Sequence, residues 1–215
     1  MTCIPRKLAL FGFVLILLVA AACGIFTKPD YFPMSLNDVW KYEVTSQVTR
    51  WWGPGQPPFP TTDSGESSVI LDTTLFGKPA FKLLHENDTV TTVSYVVKTA
   101  TEVLTYGPDP ADSPPQTGLK LPLAENSSWT ADTVPRQGIM VCTVKAKEEV
   151  SVPAGTFTDA WLVETVGDSN PDLPQHRWFA KDVGMVKLVR TNRQVFGPET
   201  METRITQELK SYTVH

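Results

Sequence analysis

Alternation of apolar and polar residues with a period of two, cut again and again by proline and glycine, limits the fold of this chain more than any other feature. From Val39 onward, Trp40, Tyr42, Val44 and Val48 fall on one face, and Lys41, Glu43 and Thr45 on the other. That spacing is the signature of a half-buried strand. Similar stretches follow at Ser67 to Phe76, Ala80 to His85, Thr89 to Lys98 and Glu102 to Tyr106. In the second half they recur at Gly138 to Val152, Ala160 to Val166, Arg177 to Ala180, Met185 to Thr191 and Arg204 to Thr213. About ten short strands separated by turn residues predict an all-β domain. The expected form is an antiparallel meander making a curved sheet, partial barrel or sandwich after an N-terminal signal helix. Only Thr156 to Glu164 offers helical spacing, through Phe157, Ala160, Trp161 and Glu164, and its Pro-Ala-Gly turn and β-branched neighbours favour strand.

Three stretches read as loops: Trp51 to Ser64, Gly107 to Gly118 and Gly167 to Pro174. The first holds Pro54, Pro57, Pro58 and Pro60 with Gly53 and Gly55, residues unsuited to a central strand. Trp51, Trp52 and Phe59 lie in it, as a surface-contact patch or as cover for the rim of the sheet, since exposed aromatic clusters mark interfaces. Pro33-x-x-x-Asn37-x-x-Trp40 and Pro122-x-x-x-Asn126-x-x-Trp129 share one spacing, and each leads into a strand. Three residues in common fit a duplication, and they also fit coincidence.

Arg6 and Lys7 precede an unbroken apolar run, Leu8 to Ala22, followed by Cys23 and Gly24. A basic pair, an apolar segment and small residues make a secretory signal. With Cys23 directly after Ala20-Ala21-Ala22, the segment resembles the lipobox of bacterial lipoproteins. The resemblance implies that the chain is cut before Cys23 and that Cys23 carries the lipid. That family favours Leu or Val three residues before the cysteine, where this chain has Ala20. Two other outcomes stay open: an Ala-x-Ala cut that releases a soluble protein, or an uncut anchor, the run approaching the ~20 residues of a membrane helix. All three export the remainder. Gly24 stands where Asp would be the inner-membrane retention signal, so the resemblance implies the outer membrane in a cell with two membranes, otherwise the outer face of the cell membrane.

The expected organisation is a signal peptide over residues 1–22, a lipidated tether over 23–35 and a single β-rich domain over 36–215. Removing residues 1–22 from 215 leaves 193, a length for one domain. The signal takes Arg6 and Lys7 with it, so 19 basic residues become 17 against 23 acidic ones, a charge of −6. That balance argues against nucleic acid, which calls for a basic face. Cys3 leaves with the signal and Cys23 is used by the anchor, so Cys142 has no partner for a disulfide.

A second resemblance covers roughly Pro33 to Tyr212. Val152-Pro153-Ala154-Gly155-Thr156-Phe157, Trp178-Phe179-Ala180, Val183-Gly184-Met185-Val186-Lys187 and Glu208-Leu209-x-Ser211-Tyr212 look like a recurring, largely uncharacterised domain of exported bacterial proteins and lipoproteins. It implies a continuous antiparallel sheet curved into a partial barrel, and it supplies no catalytic residues.

The residues themselves offer little catalytic chemistry. Gly-x-Ser-x-Gly, Cys-x-x-Cys, His-Glu-x-x-His and phosphate-cradling glycine loops are all missing. His85 with Glu86 and Asp88 reads as a solvated turn. Asp168-x-Asn170-x-Asp172 starts like a calcium loop but has Leu173 and Phe179 where Gly and Glu belong. Cys142 reads as a buried inert thiol. The expectation is a non-enzyme with no cofactor and no metal. In Ala160 to Val166 apolar residues fall on both faces, so both faces are covered, by the domain itself, by a partner or by an apolar ligand. The sharper expectation is a membrane-anchored envelope lipoprotein that binds a lipid or other apolar ligand in its curved sheet, with Met140, Val144, Trp161 and Val163 as candidate lining. The alternative is an envelope scaffold or adhesion module working through protein contacts.

Overall fold

The computed structural model describes residues 29–51, 59–87, 90–112, 114–134, 138–197 and 199–215, with backbone alone for 50–51, 59–71, 87 and 132–134. Among these residues every regular element is a strand: β1 (Val39–Trp51), β2 (Phe59–Leu75), β3 (Lys78–Asn87), β4 (Thr91–Lys98), β5 (Glu102–Tyr106) and β6 (Gln116–Lys120). The second half continues with β7 (Ser128–Val134), β8 (Gly138–Val152), β9 (Gly155–Gly167), β10 (Asn170–Ala180), β11 (Gly184–Phe196) and β12 (Glu199–Thr213). All twelve join one sheet in the order β6-β5-β4-β3-β2-β1-β12-β11-β10-β9-β8-β7. The chain therefore starts in the middle, runs by hairpins to one edge, crosses to the other edge and returns. The first and last strands pair along their length, from Val39 with Thr213 to Trp51 with Thr200.

Bulges bend the sheet into a partial barrel. They lie between Lys41 and Tyr42, between Val144 and Lys147, and between Trp178 and Phe179. The two edges meet through side chains. The Trp129 indole N–H on β7 donates to the Thr117 carbonyl on β6 at 2.9 Å. One buried cluster joins Val103 and Leu119 from one edge to Trp129, Cys142 and Val144 from the other. No ladder connects β6 to β7, so the curl has a seam there.

Three expected loops are shorter than alternation suggests. Residues 59–64 belong to β2, with Phe59 opposite Val48. β3 reaches only to Gly65, so this end of β2 pairs on one side alone, and a one-sided strand tolerates Pro60. β6 occupies the end of the second loop as a five-residue edge strand. β10 starts at Asn170, and its ladder to β9 is interrupted between Asn170 and Gln175, where Pro171 and Pro174 sit. Thr156 to Glu164 is strand, as its turn residues indicated.

The two sets of six strands repeat one another. Asn37 and Asn126 both have positive φ, 67° and 63°. Around them Asp38 N–H donates to Ser35 O at 3.1 Å and Ser127 N–H to Ala124 O at 3.0 Å, so the turns match as well as the residues. Trp40 and Trp129 are both buried with the indole donating to a backbone carbonyl. Val96-Val97-Lys98 and Phe179-Ala180-Lys181 stand before equivalent turns, and Val103 and Val186 follow each at the same interval. Ala80 matches Ala160 and Leu119-Lys120 matches Leu209-Lys210, with both alanines and both leucines at 2% exposure or less. The three-residue echo is the visible part of a repeat that runs through the core.

Apolar residues on both faces of β9 have a simple cover. Val163 faces the inside of the curl with Val144 and Phe179. Beyond the bulges the β8–β9 hairpin folds back, and the Ala154 N–H donates to the Leu209 carbonyl at 2.9 Å. Val150, Val152, Ala154, Phe157 and Ala160 then pack with Ala180, Val183, Val186 and Leu209. All four segments of the exported-domain pattern contribute to this cluster. Gly184 fits the first position of β11 because its φ of 99° disfavours any residue with a Cβ.

Candidate ligand-binding cavity

Residues 30–34 close one end of the curl. Asp30 bonds Lys98 on β4 at 2.5 Å, and its carbonyl accepts from Asp182 N–H at 2.6 Å in the β10–β11 turn. Tyr31 is buried, and Phe32 and Met34 pack against the core. Residues 30–34, expected as tether, are thus part of the domain, because Tyr31, Phe32 and Met34 find apolar partners on both halves. Asp38, fully buried, accepts from the N–H of Ser35 at 2.7 Å and of His215 at 2.9 Å, which ties the entry to β1 to the segment after β12.

Above this plug lies a cavity of about 260 Å³. Its apolar wall comes from Phe32, Pro33 and Met34 of the plug, Trp40 and Tyr42 of β1, Leu83 and Val96 of the first half, and Phe179 and Met185 of the second. Polar groups are His85, Ser94, Thr105, Arg177 and Gln207. Two aromatic walls are fixed by hydrogen bonds: Trp40 Nε1–H to Val183 O at 2.7 Å, and Tyr42 O–H to Met185 O at 2.9 Å. Burial pushes the Tyr42 phenol well above its ordinary pKa, so it stays a neutral donor.

His85 Nε2 and Ser94 Oγ are 2.9 Å apart across neighbouring strands. Burial holds this histidine below its ordinary pKa, which favours the neutral ring. Arg177 occupies the corresponding inner position of β10. Its Nη2 donates to Cys142 Sγ at 3.4 Å and to Thr165 Oγ1 at 3.3 Å, and the guanidinium lies 5.8 Å from the centre of the Phe179 ring. Its Nε is buried and without a hydrogen-bond partner. Among the described residues no carboxylate lies within ion-pair distance of it. Burial pulls its pKa below the ordinary arginine value, with Cys142 opposing. Thr165, which receives one of its bonds, also lines a wider and more polar hollow of about 620 Å³ with Gln175 and Arg190. Arg177 therefore stands where apolar cavity meets polar hollow.

Of the residues expected to line a cavity, none lines the apolar one, and Met140 alone reaches the polar hollow. Val144 and Val163 are directly opposed and fully buried in close-packed core, covered by Trp129, Leu123 and Phe179. Trp161 packs on the edge of that cluster under Lys147, 5.2 Å from its ring centre. Met140 lies at the polar hollow. The shared face of Val144 and Val163 is as alternation predicted, but the space on it is filled. Ala146, expected beside them, is exposed because the bulge after Val144 turns the strand. His85 is an inner strand residue, not part of a solvated turn. Asp168 and Asp172 separate: Asp168 accepts from Ile139 N–H at 3.0 Å, and Asp172 pairs with Arg193 at 2.8 Å. Gly138, at φ 73°, leaves room for that Asp168 carboxylate, which any Cβ would strike. Trp52 and Cys23 lie outside the described residues, as do the side chains of Trp51 and Phe59, whose backbones are strand ends.

Sequence reasoning missed Arg177, His85, Tyr42 and Gln207 as a group. The usable signal was Arg177 itself, a charge at a position that alternation places with Phe179 on the inner face.

No family model matches the sequence, and no curated protein matches it. Two solved structures are similar. One is a "putative lipoprotein" from Parabacteroides distasonis, at 13% identity and a TM-score of 0.42, covering 86% of this chain and 99% of that one. The other is a "putative exported protein" with a YmcC-like fold from Bacteroides fragilis, at 9% identity and a TM-score of 0.40, covering 86% and 100%.

Proposed function

We propose that this chain is an exported, lipid-anchored envelope protein whose curled sheet binds an apolar ligand without catalysing a reaction. The observation that carries the binding reading is the cavity between the two halves, walled by Trp40, Tyr42, Phe179 and Met185 and floored by Phe32 and Met34. Its volume of about 260 Å³ is near the lower end of the ~300–1,000 Å³ of small-molecule pockets, which are mostly apolar with a few placed polar groups. The anchoring reading rests on Arg6 to Cys23. Because residues 30–34 are packed into the domain, Gly24 to Pro29 alone separate Cys23 from it, a length of chain that spans at most about 22 Å. An anchor at Cys23 would hold the cavity's plugged end near the membrane surface, the source of apolar molecules.

The test uses the full chain produced in a bacterium with two membranes. Wild type should partition into the detergent phase and carry a small apolar molecule in native mass spectra after gentle extraction. Cys23→Ser should remain unprocessed or be released. Processing and localisation of Cys23→Ser like wild type would show the Ala-x-Ala cut instead. Protein that never carries a ligand would favour the scaffold reading.

A further inference from the structure

Resting on the cavity reading, we infer that the ligand is a single-chain amphiphile whose oxyanion head is held by Arg177. A guanidinium is costly to place away from water unless its donors are met by an anion. Arg177 is half-buried, its partners among the described residues are a thiol, a hydroxyl and a ring face, and its Nε is buried and left over. Among the described residues no ion pair uses this charge to hold the fold together. Nearby, Glu164 is already occupied by Lys145 at 2.7 Å and His176 at 3.3 Å.

Position gives the head its direction. Arg177 lies between the apolar cavity and the polar hollow, so a head bound there has solvent-facing groups on one side and its tail in the cavity. The tail would run between Tyr42, Phe179 and Met185 toward Met34. The repeat makes the site single. The position of Arg177 in the second half is held by Ser94 in the first, and Ser94 is paired with His85. One cation and one narrow cavity suit one head and one chain, not a two-chain lipid. A carboxylate or a phosphate monoester would offer the same bidentate chemistry to a guanidinium.

The test is calorimetric titration of the full chain in phosphatidylcholine nanodiscs with octanoate, octyl phosphate, 1-octanol and inorganic phosphate, corrected for empty nanodiscs. Octanoate or octyl phosphate should bind about tenfold or more tightly than octanol, and the tighter of the two identifies the head. Arg177→Met should abolish that preference while keeping octanol binding, and Arg177→Lys should retain part of it. Unfolding midpoints of both variants show whether the fold is intact, and Arg177→Met should be at least as stable as wild type. Equal binding of acid and alcohol by wild type would overturn the role of Arg177 while leaving an apolar cavity. Inorganic phosphate binding as well as octyl phosphate would overturn the amphiphile. Binding of none of the four would remove the cavity reading itself.

Discussion

Leu119 and Leu209 occupy matching places in the two halves, at 1% and 0% exposure, yet truncating them should not cost the same. Leucine to alanine in a packed core costs about 2–5 kcal/mol, and the spread reflects how far the site collapses around the missing atoms. Leu209 lies on β12 opposite Tyr42 of β1, just past Glu208, where the ladder to β11 ends, and its carbonyl is pinned by Ala154. The β1 ladder on one side and the Ala154 hydrogen bond on the other hold the hole open, so Leu209→Ala belongs near the top of the range, about 4–5 kcal/mol. Leu119 lies on the five-residue β6, laddered only to β5 and meeting β7 through side chains. That edge can close in, which places Leu119→Ala at about 2–3 kcal/mol. At roughly 2–4 °C per kcal/mol for a chain of this size, melting points should fall by about 4–12 °C for Leu119→Ala and 8–20 °C for Leu209→Ala. Urea unfolding followed by tryptophan fluorescence measures both, and an unchanged m-value is required for the comparison. A loss for Leu119→Ala equal to or greater than that for Leu209→Ala would refute the claim that the seam is the yielding part of the curl.

Two further predictions follow from burial. Val163→Phe inserts a ring into filled core opposite Val144 and should cost about 1–3 kcal/mol; unchanged stability would show that the space on that face is open. His85 has its folded pKa below the ordinary 6.5, so its contribution is complete above that value. It is lost as pH falls below 6.5, because the unfolded chain takes up the proton first. Stability should decline as pH falls below about 6.5, and His85→Gln should flatten that decline; an unchanged slope in the variant would place the titration elsewhere.

Strand content was legible because inner and outer residues differ in kind along most of the chain. Trp40 and Tyr42, or Cys142 and Val144, alternate with polar residues and are buried as pairs. Legibility failed where a strand has one neighbour or none of that contrast. Residues 59–64 pair on one side only, so Pro60 is tolerated and reads as loop. Gln116 to Lys120 buries Leu119 alone, which gives no period to read. Bulges were invisible as well, and the one after Val144 moves Ala146 out to solvent. The repeat showed only three residues because its core substitutes freely among apolar types, Val96 for Phe179 and Val97 for Ala180.

The cavity was hidden for a different reason. Tyr42, His85, Arg177 and Gln207 come together only when the curl brings the first six strands over the last six, and no local pattern encodes that closure. The repeat then shows what is unusual about the site. If both halves carried the same inner residues, the interior would be an apolar core with small polar pairs, as at Ser94 and His85. The second half instead places a cation there and leaves one of its donors unmet. Packing gains nothing from that choice, since an apolar side chain of similar length would fill the space without the desolvation cost. A cation that weakens the empty domain at the end of an apolar cavity is what the proposed amphiphile would account for, its head supplying the missing charge.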